Sequence, residues 1–205
     1  MRSDLAQDIL QLTGEHLTLV ASAMTIAILL GVPLGILLSR RPGARRWILG
    51  LASVMQTVPS LALFGFLIPI PVIGGIGRRT VIVSLVLYAL LPILRNTYVG
   101  IMSVDLAVCE SAIAMGMTNV QLLRQVQLPL AARTIIAGIR VATVTTIGTA
   151  TIAAAIGGGG LGVFIFRGVA SVDTAQILAG AIPAAVLALL ADWGLGWVEQ
   201  KLSPV

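Results

Sequence analysis

The sequence has very little charge and very few aromatic side chains. Of its 205 residues, 10% are charged and 4% are aromatic, whereas 58% are hydrophobic. A soluble globular domain usually carries about 25% charged residues, because it needs charge to cover its surface. The shortage of charge therefore excludes an ordinary soluble domain and indicates a membrane protein.

Cysteine and histidine each occur once, as Cys109 and His16. A single cysteine excludes an internal disulfide and a thiolate metal site. The histidine stands at the start of the first apolar run, and we interpret it as an interfacial residue, not a ligand. Because the apolar runs hold no histidine pair, no paired aspartates and no serine–lysine dyad, we do not expect an intramembrane enzyme.

Five apolar runs are candidates for membrane spans, since a helix needs about 20 mostly apolar residues to cross about 30 Å of hydrocarbon. No repeat, linker or soluble region divides them, so we predict an all-α, polytopic membrane protein forming one domain over residues 1–205. The runs cover residues 17–38, 47–70, 80–98, 130–156 and 177–198.

The basic residues predict the orientation of these spans. With the N-terminus outside, inner segments hold eight Arg or Lys residues and outer segments hold four. Cytoplasmic loops carry the excess of Arg and Lys, so the predicted topology is N-terminus outside and C-terminus cytoplasmic. The net charge of +5 does not indicate nucleic-acid binding, because the basic residues form short clusters between apolar runs.

A polar segment, residues 104–129, separates the third span from the fourth and is predicted to be cytoplasmic. Its first part is rich in helix formers, Gly116 permits a tight turn, and Thr118 or Asn119 can cap a second short helix. We expect that helix to run to about Gln127 and to be ended by Pro129. Ala112 and Ala114 are expected to form a smooth surface that a partner can approach closely. An apolar side that faces a partner is expected at Leu122, Leu123, Val126 and Leu128.

The same segment contains Glu110-Ser111-Ala112, three residues, Gly116, nine residues and Val126-Gln127-Leu128-Pro129. This spacing resembles the coupling loop of ABC importer permeases, Glu-Ala-Ala, three residues, Gly, nine residues, Ile-x-Leu-Pro. Ser111 replaces the second alanine and Val126 the isoleucine. We call residues 104–129 the coupling segment. The alternative is a connector that only packs beneath its own bundle. The resemblance implies contact with a separate ATPase through Glu110, Ser111, Ala112, Gly116, Val126, Leu128 and Pro129.

Other segments resemble the permeases of this class that serve osmoprotectants such as glycine betaine, choline or carnitine. The matching segments are residues 56–63, 88–98, 137–140 and 147–151. An amino acid or another small solute is the alternative substrate. Quaternary ammonium ions are usually held by aromatic cages, which this chain lacks the aromatics to build, so we expect that site on a separate binding protein.

The resemblance also implies an assembly and a location. The expected partners are two cytoplasmic ATP-binding subunits, a second permease that is identical or related, an external solute-binding protein and membrane lipid, without nucleic acid. The implied fold is a five-helix core like that of the methionine importer, in the cytoplasmic (inner) membrane of a bacterium. We expect this chain to bind no cofactor, with ATP and Mg held by the partner ATPase.

Polar residues inside the spans are candidates for a translocation path, because they are costly there and broken helices often line such paths. Pro59 cannot donate a backbone hydrogen bond, so it breaks the second span beside other polar residues. A kink satisfied by neighbouring side chains, or a closely packed threonine-rich helix, is the alternative. The candidates are Gln56, Thr57, Pro59, Ser60, Thr143, Thr146 and Arg140.

Arg140 lies inside the fourth span and needs a partner, for which Asp192 and Glu110 are the candidates. We otherwise interpret Asp192 and Trp193 as an interfacial pair. The glycine run at 157–160 lacks a following Lys-Ser/Thr, so we interpret it as a flexible turn rather than a phosphate loop. A stand-alone secondary transporter or channel is the competing class, but repeated halves and a mid-membrane carboxylate are both missing.

Overall fold

The computed structural model describes residues 2–71 and 73–202 and, within those residues, contains helices and turns but no strand. The predicted all-α class is confirmed. The helices are α1 (Arg2–Arg40), α2 (Pro42–Thr57), α3 (Ser60–Leu67), α4 (Arg78–Met102), α5 (Leu106–Ala114), α6 (Asn119–Gln121), α7 (Leu128–Ala150), α8 (Gly162–Ser171) and α9 (Thr174–Lys201). A π turn (Leu122–Gln127) joins α6 to α7, and a 3₁₀ turn (Ile152–Ile156) follows α7.

The core of the molecule lies where α1, α4 and α7 pack together. Buried aliphatic residues from all three helices meet there, among them Leu19, Leu85 and Ile147. Glycines bring α1 close to α4: a Cβ on Gly31 would lie 2.7 Å from Ile93, and one on Gly35 would lie 2.6 Å from Thr97. Small residues at helix contacts are a main source of packing energy in lipid.

Among the described residues, four helices are long and apolar enough to span a membrane, at Ala6–Arg40, Arg78–Met102, Asn119–Ala150 and Thr174–Lys201. The region predicted as the second span, residues 47–70, is instead two helices, α2 and α3, bent by 105°. Counting that pair as one span gives five. The bend lies at Val58 and Pro59, both of which have extended backbone.

The helices extend beyond the predicted apolar runs. Helix α1 begins at Arg2 rather than near residue 17. Its first turns contain Gln and Glu, which form helix readily, and Asp, which is favourable near a helix N-terminus, but all three lower the hydropathy. Helix α8 lies in a region between spans for which the sequence predicts no helix. It begins two residues after the glycine run, in which Gly157, Gly159 and Gly160 all have positive φ.

Contacts between distant residues define two ends of the bundle. At one end, Arg40 at the end of α1 meets the coupling segment, and Glu199 of α9 meets Arg133 near the start of α7. At the opposite end, the Glu15 carboxylate in α1 accepts a hydrogen bond from the Gly160 amide at 3.2 Å. The N-terminal part of α1 and the C-terminal end of α9 therefore lie at opposite ends.

His16 is fully buried at that opposite end, so its interpretation as an interfacial residue was wrong. Its Nε2 lies 3.1 Å from the Ile147 carbonyl oxygen. The glycine run packs over it, and a Cβ on Gly160 would lie 3.1 Å from its Nδ1. The absence of a side chain at Gly160 allows the loop to close over the imidazole.

Candidate coupling segment and translocation path

Helix α5 forms the first half of the coupling segment. Asp105 caps it, because its carboxylate accepts the Ala107 amide at 2.9 Å. Glu110 and Ser111 lie exposed on this helix, and the Ser111 hydroxyl donates to the Ala107 carbonyl at 2.8 Å. Within the described residues Glu110 has no ion pair, so its charge is available at the surface.

The turn after α5 depends on Gly116, which has φ +86°. That left-handed conformation is easy for glycine and strained for most other residues. Thr118 then caps α6 in a reciprocal arrangement with Gln121: the Gln121 amide donates to the Thr118 hydroxyl, and the Thr118 amide donates to the Gln121 side chain. The predicted turn at Gly116 and cap at Thr118 are both present.

The two halves of the coupling segment enclose a small apolar core of their own. Cys109, Ala112 and Leu122 are buried, and Val126 packs against them. Ala112 was predicted to offer an exposed contact surface, and Leu122 and Val126 to face a partner. The structure shows that these residues hold the segment's two short helices together instead.

The exposed apolar residues of the segment are different ones. Leu106 is 70% exposed, Met115 is 74% exposed, and Ile113 and Val120 are also largely exposed. Beside them runs a shallow groove of about 340 Å³, lined by Ala107, Val108, Ser111, Ala112, Met115, Met117 and Val126. The segment thus presents an exposed apolar surface on the side away from its own core. Exposed apolar surfaces of this kind are typical of docking sites.

Pro129 does not end the second helix, contrary to the prediction. The chain continues from α6 through the π turn into α7 as one helical segment, with Pro129 at the beginning of α7. A proline lacks an amide hydrogen and crowds the preceding turn, and the wider π turn just before it relieves that crowding. The coupling segment is therefore directly continuous with a membrane-spanning helix.

Arg40 fastens the coupling segment to the end of α1. Its Nη2 lies 3.3 Å from the Asn119 carbonyl oxygen and 3.4 Å from Gln127 Oε1. The Gln127 amide in turn lies 3.9 Å from Cys109 Sγ. One arginine thus connects α1, the start of α6 and the π turn.

The break between α2 and α3 is held by Tyr88 of α4. The Tyr88 hydroxyl donates to the Val58 carbonyl, and the Tyr88 carbonyl accepts the Gln56 side-chain amide at 3.2 Å. These bonds satisfy part of the backbone that the break leaves open. Gln56, Thr57 and Pro59 are exposed and Ser60 is half-buried. The Thr57 hydroxyl donates back to Val54 at 2.7 Å.

The threonines of α7 face different ways. Thr146 is buried, so it does not line an open surface of this chain. Thr143 is half-buried and donates to the Ile139 carbonyl at 2.8 Å. Thr145, which was not selected from the sequence, is the exposed one.

Arg140 forms ion pairs between α7 and α9. Its Nε lies 2.6 Å and its Nη2 2.8 Å from the two Asp192 carboxylate oxygens, and its Nη1 lies 3.2 Å from Glu199. Of the two predicted partners, Asp192 is correct and Glu110 is wrong. Asp192, interpreted from the sequence as one of an interfacial pair, also binds the guanidinium with two hydrogen bonds.

Residues 23–204 match the family described as the inner membrane component of binding-protein-dependent transport systems. The chain belongs to this family. The carnitine transport permease protein OpuCD of Listeria monocytogenes serotype 1/2a (strain 10403S) is 49% identical, over 93% of this chain and 85% of that protein. The glycine betaine/carnitine/choline transport system permease protein OpuCD of Bacillus subtilis (strain 168) is 46% identical, over 96% and 85%.

A solved structure has the same fold. The permease resembles a chain of the MetNI methionine ABC transporter in an inward-facing conformation, with a TM-score of 0.89 at 21% identity, and each chain is covered completely. The predicted ABC permease fold and family membership are therefore confirmed. The chain is a permease subunit of an ABC importer and a component of the inner membrane.

Three residues important to the geometry of this permease were missed from its sequence: Arg40, Tyr88 and Glu199. The role of Glu199 can be predicted from the spacing of charges in the sequence. This residue follows Asp192 by seven residues, just as Arg140 follows Arg133. Residues seven apart share a helix face, so opposite charges at that spacing on two neighbouring spans predict pairing. Arg40 and Tyr88 act on backbone carbonyls, which leave no such pattern.

Proposed function

We propose that this permease imports quaternary ammonium osmoprotectants, such as glycine betaine, choline or carnitine, and that its coupling segment docks on a cytoplasmic ATP-binding subunit. The observation that carries the docking proposal is the exposed apolar face of Leu106, Ile113, Met115 and Val120. The segment already has a core of its own, so these side chains remain for another protein. Burying them in a groove of the ATPase is favourable, and Glu110 adds a charge for a cationic partner residue.

The segment is built to move as a unit and to pass its movement on. Its small core joins its two halves, and its second half continues into α7 without interruption. A push on the docked face is therefore delivered along α7. Gly116, Val126, Leu128 and Pro129 act here by shaping the segment: the glycine allows the turn, the valine completes the core, and Leu128 and Pro129 begin α7.

We place part of the solute path at the broken span. The α2–α3 bend leaves Gln56, Thr57, Pro59 and Ser60 at or near the chain surface, and Thr143 and Thr145 add weakly polar groups on α7. Hydroxyl, amide and small apolar groups let a compact zwitterion or cation pass without holding it tightly. Recognition of the quaternary ammonium group is assigned to an external binding protein, because aromatics are only 4% of this chain.

The proposed assembly has two permeases, identical or related, two ATP-binding subunits and an external solute-binding protein, surrounded by lipid. ATP and Mg bind to the ATPase, which performs the hydrolysis, and this chain binds no cofactor. The coupling segment and the C-terminal end of α9 face the cytoplasm, and the N-terminal part of α1 faces outside. The Arg40–Arg46 cluster supports this orientation through the excess of positive charge on cytoplasmic loops.

The transport proposal is tested by reconstituting the complete importer in liposomes. Uptake of labelled glycine betaine, choline and carnitine is measured with and without internal ATP, with methionine as the amino acid comparison. We expect uptake of at least one quaternary ammonium compound only when ATP is present. Uptake that proceeds without nucleotide contradicts the ATP-driven class, and uptake of methionine alone contradicts the substrate.

The docking proposal is tested by co-purification with the ATPase. Glu110→Lys reverses the charge on the exposed side of α5, and we expect it to abolish ATPase association while the membrane yield stays normal. Gln200→Lys is the control for added positive charge, because it places a lysine at an exposed position near the end of α9, although it changes the charge by one unit and Glu110→Lys by two. Normal association of the Glu110 variant contradicts the docking surface.

A further inference from the structure

A group of four charged residues connects α7 to α9. Arg140 holds Asp192 and Glu199, and Arg133 Nε lies 3.8 Å from the other Glu199 oxygen. The two arginines are seven residues apart on α7, and the two carboxylates are seven residues apart on α9. We call these four residues the charge ladder. Its formal charges sum to zero.

In the middle of α9, Leu187, Ala188 and Ala191 are partly buried against the core cluster that α7 helps to form. Beyond Asp192, towards the end that carries the coupling segment, Gly196 is buried and no larger side chain of α9 is buried. Gly180 lies in the other half of the helix, where it packs against Leu161 and Phe164 beside α8. The two ends of α9 thus have different attachments: small-residue packing against α8 at one end, and charge against α7 beyond its partly buried middle.

Gly196 makes room for the ladder. A Cβ at that position would lie 3.1 Å from Arg140 Nη1 and 3.2 Å from its Cζ. The guanidinium therefore lies directly against the backbone of α9, between Asp192 and Glu199. Such close seating, with two hydrogen bonds to one carboxylate and one to the other, fixes the rotation of α9 as well as its distance from α7.

Separation of the ladder is unfavourable inside a membrane. Arg140 lies twelve residues beyond the start of α7, which is about 18 Å along the helix axis, and the side chains of Arg140 and Asp192 are 34% and 44% exposed within the chain. Wherever the helix is surrounded by lipid, a separated arginine or carboxylate becomes an uncompensated charge in an apolar medium. An apolar contact between the same helices can slide at much lower cost, so the ladder is the stiffer connection.

We infer that the charge ladder makes the inner half of α9 follow α7, so that movement of the coupling segment reaches α9. This inference rests on the proposed coupling function. Arg133, Arg140, Asp192 and Glu199 are then positioning residues: they transmit the movement without touching solute or nucleotide. The connection runs from the docked face through the π turn and α7, and across the ladder to α9.

The first test measures coupling in the reconstituted importer with Arg140→Gln and Asp192→Asn. Both variants should assemble with the ATPase and hydrolyse ATP, but solute imported per ATP hydrolysed should fall at least about fivefold. Arg167→Gln is the matched control, because it removes the same charge from an exposed arginine of α8 that lies outside the ladder, and it should change the ratio by less than about twofold. A loss due only to structural damage lowers assembly and hydrolysis together and leaves this ratio unchanged.

The outcomes separate this inference from the proposed function. If the intact permease takes up solute without ATP, the proposed function fails. If the intact and Arg140→Gln permeases both need ATP and import the same amount of solute per ATP, the ladder inference alone fails. An unchanged ratio combined with parallel losses of assembly and hydrolysis also overturns it.

A second measurement keeps the test open if the variants fold poorly. In a Cys109→Ser background, spin labels are attached at Val141 of α7 and Leu189 of α9, both exposed within the chain. With the ladder intact, we expect the distance between the labels to stay the same in nucleotide-free and ATP-bound importer, while the distance from Leu189 to a label at Thr18 of α1 changes. A change in the Val141–Leu189 distance shows that α9 moves independently and overturns the inference.

Discussion

Replacing Gly116 by valine should weaken ATPase binding while leaving the membrane bundle intact. Gly116 has φ +86°, and no atom outside its own neighbourhood lies within 4 Å of a Cβ built there. The effect of a side chain is therefore backbone strain without a clash. For an ordinary residue this conformation costs about 1–2 kcal/mol, and more for a β-branched one. If the turn forms only on docking, the strain opposes binding in full and corresponds to about a 5- to 30-fold weaker affinity.

Asparagine is the matched control, because it tolerates the left-handed region better than other residues. Titration of the purified ATPase onto permease in nanodiscs measures both variants, and the yield and melting temperature of the permease show whether the bundle is intact. We expect Gly116→Asn to bind within about threefold of the unmodified permease. Valine binding as tightly as glycine, or asparagine binding as weakly as valine, refutes the argument from backbone conformation.

Two further substitutions test other parts of the fold. Tyr88→Phe removes the hydroxyl that donates to Val58 at the α2–α3 break, so the free energy of unfolding should fall by about 1 kcal/mol. The measurement is the denaturation temperature, which should be lower. An unchanged temperature shows that the bond does not hold the break. Gly160 and Gly75 both have positive φ, so alanine is strained at either position. The alanine Cβ at position 160 would also lie 3.1 Å from His16 Nδ1, whereas at position 75 it would meet open space, which makes Gly75→Ala the control. We expect the Gly160 variant to be the less stable, and equal stability of the two contradicts a role for the contact with His16.

The sequence predicted the bundle because hydropathy reports which segments lie in the membrane. It did not predict where helices begin, since the polar first turns of α1 and the glycine-flanked α8 have no strong hydropathy signal. Pro59 predicted a broken span, but the angle of 105° depends on how α3 packs after the break. Such angles follow from tertiary contacts, which a single sequence does not display.

The coupling segment was predicted better in outline than in detail. Gly116 and Thr118 have local roles, a turn and a cap, and local roles are readable from residue type. Which apolar residues face inward was not readable, because Ala112 and Leu122 meet only after the turn has folded the segment back. The prediction that Pro129 ends the helix was wrong for a similar reason, because the effect of the proline depends on the π turn before it.

The π turn also determines how the helix after it is rotated. A π turn takes in about one residue more than an α turn, which displaces the following side chains by about 100° around the axis. The Thr118 cap fixes the start of the helix, and the π turn at Leu122–Gln127 contains the extra residue. The direction in which Arg140 projects from α7 is therefore set by the coupling segment, which lies outside the bundle. If one residue were removed and the turn stayed a π turn, the guanidinium would rotate away from α9. If the turn became an ordinary α turn instead, the guanidinium would keep its position.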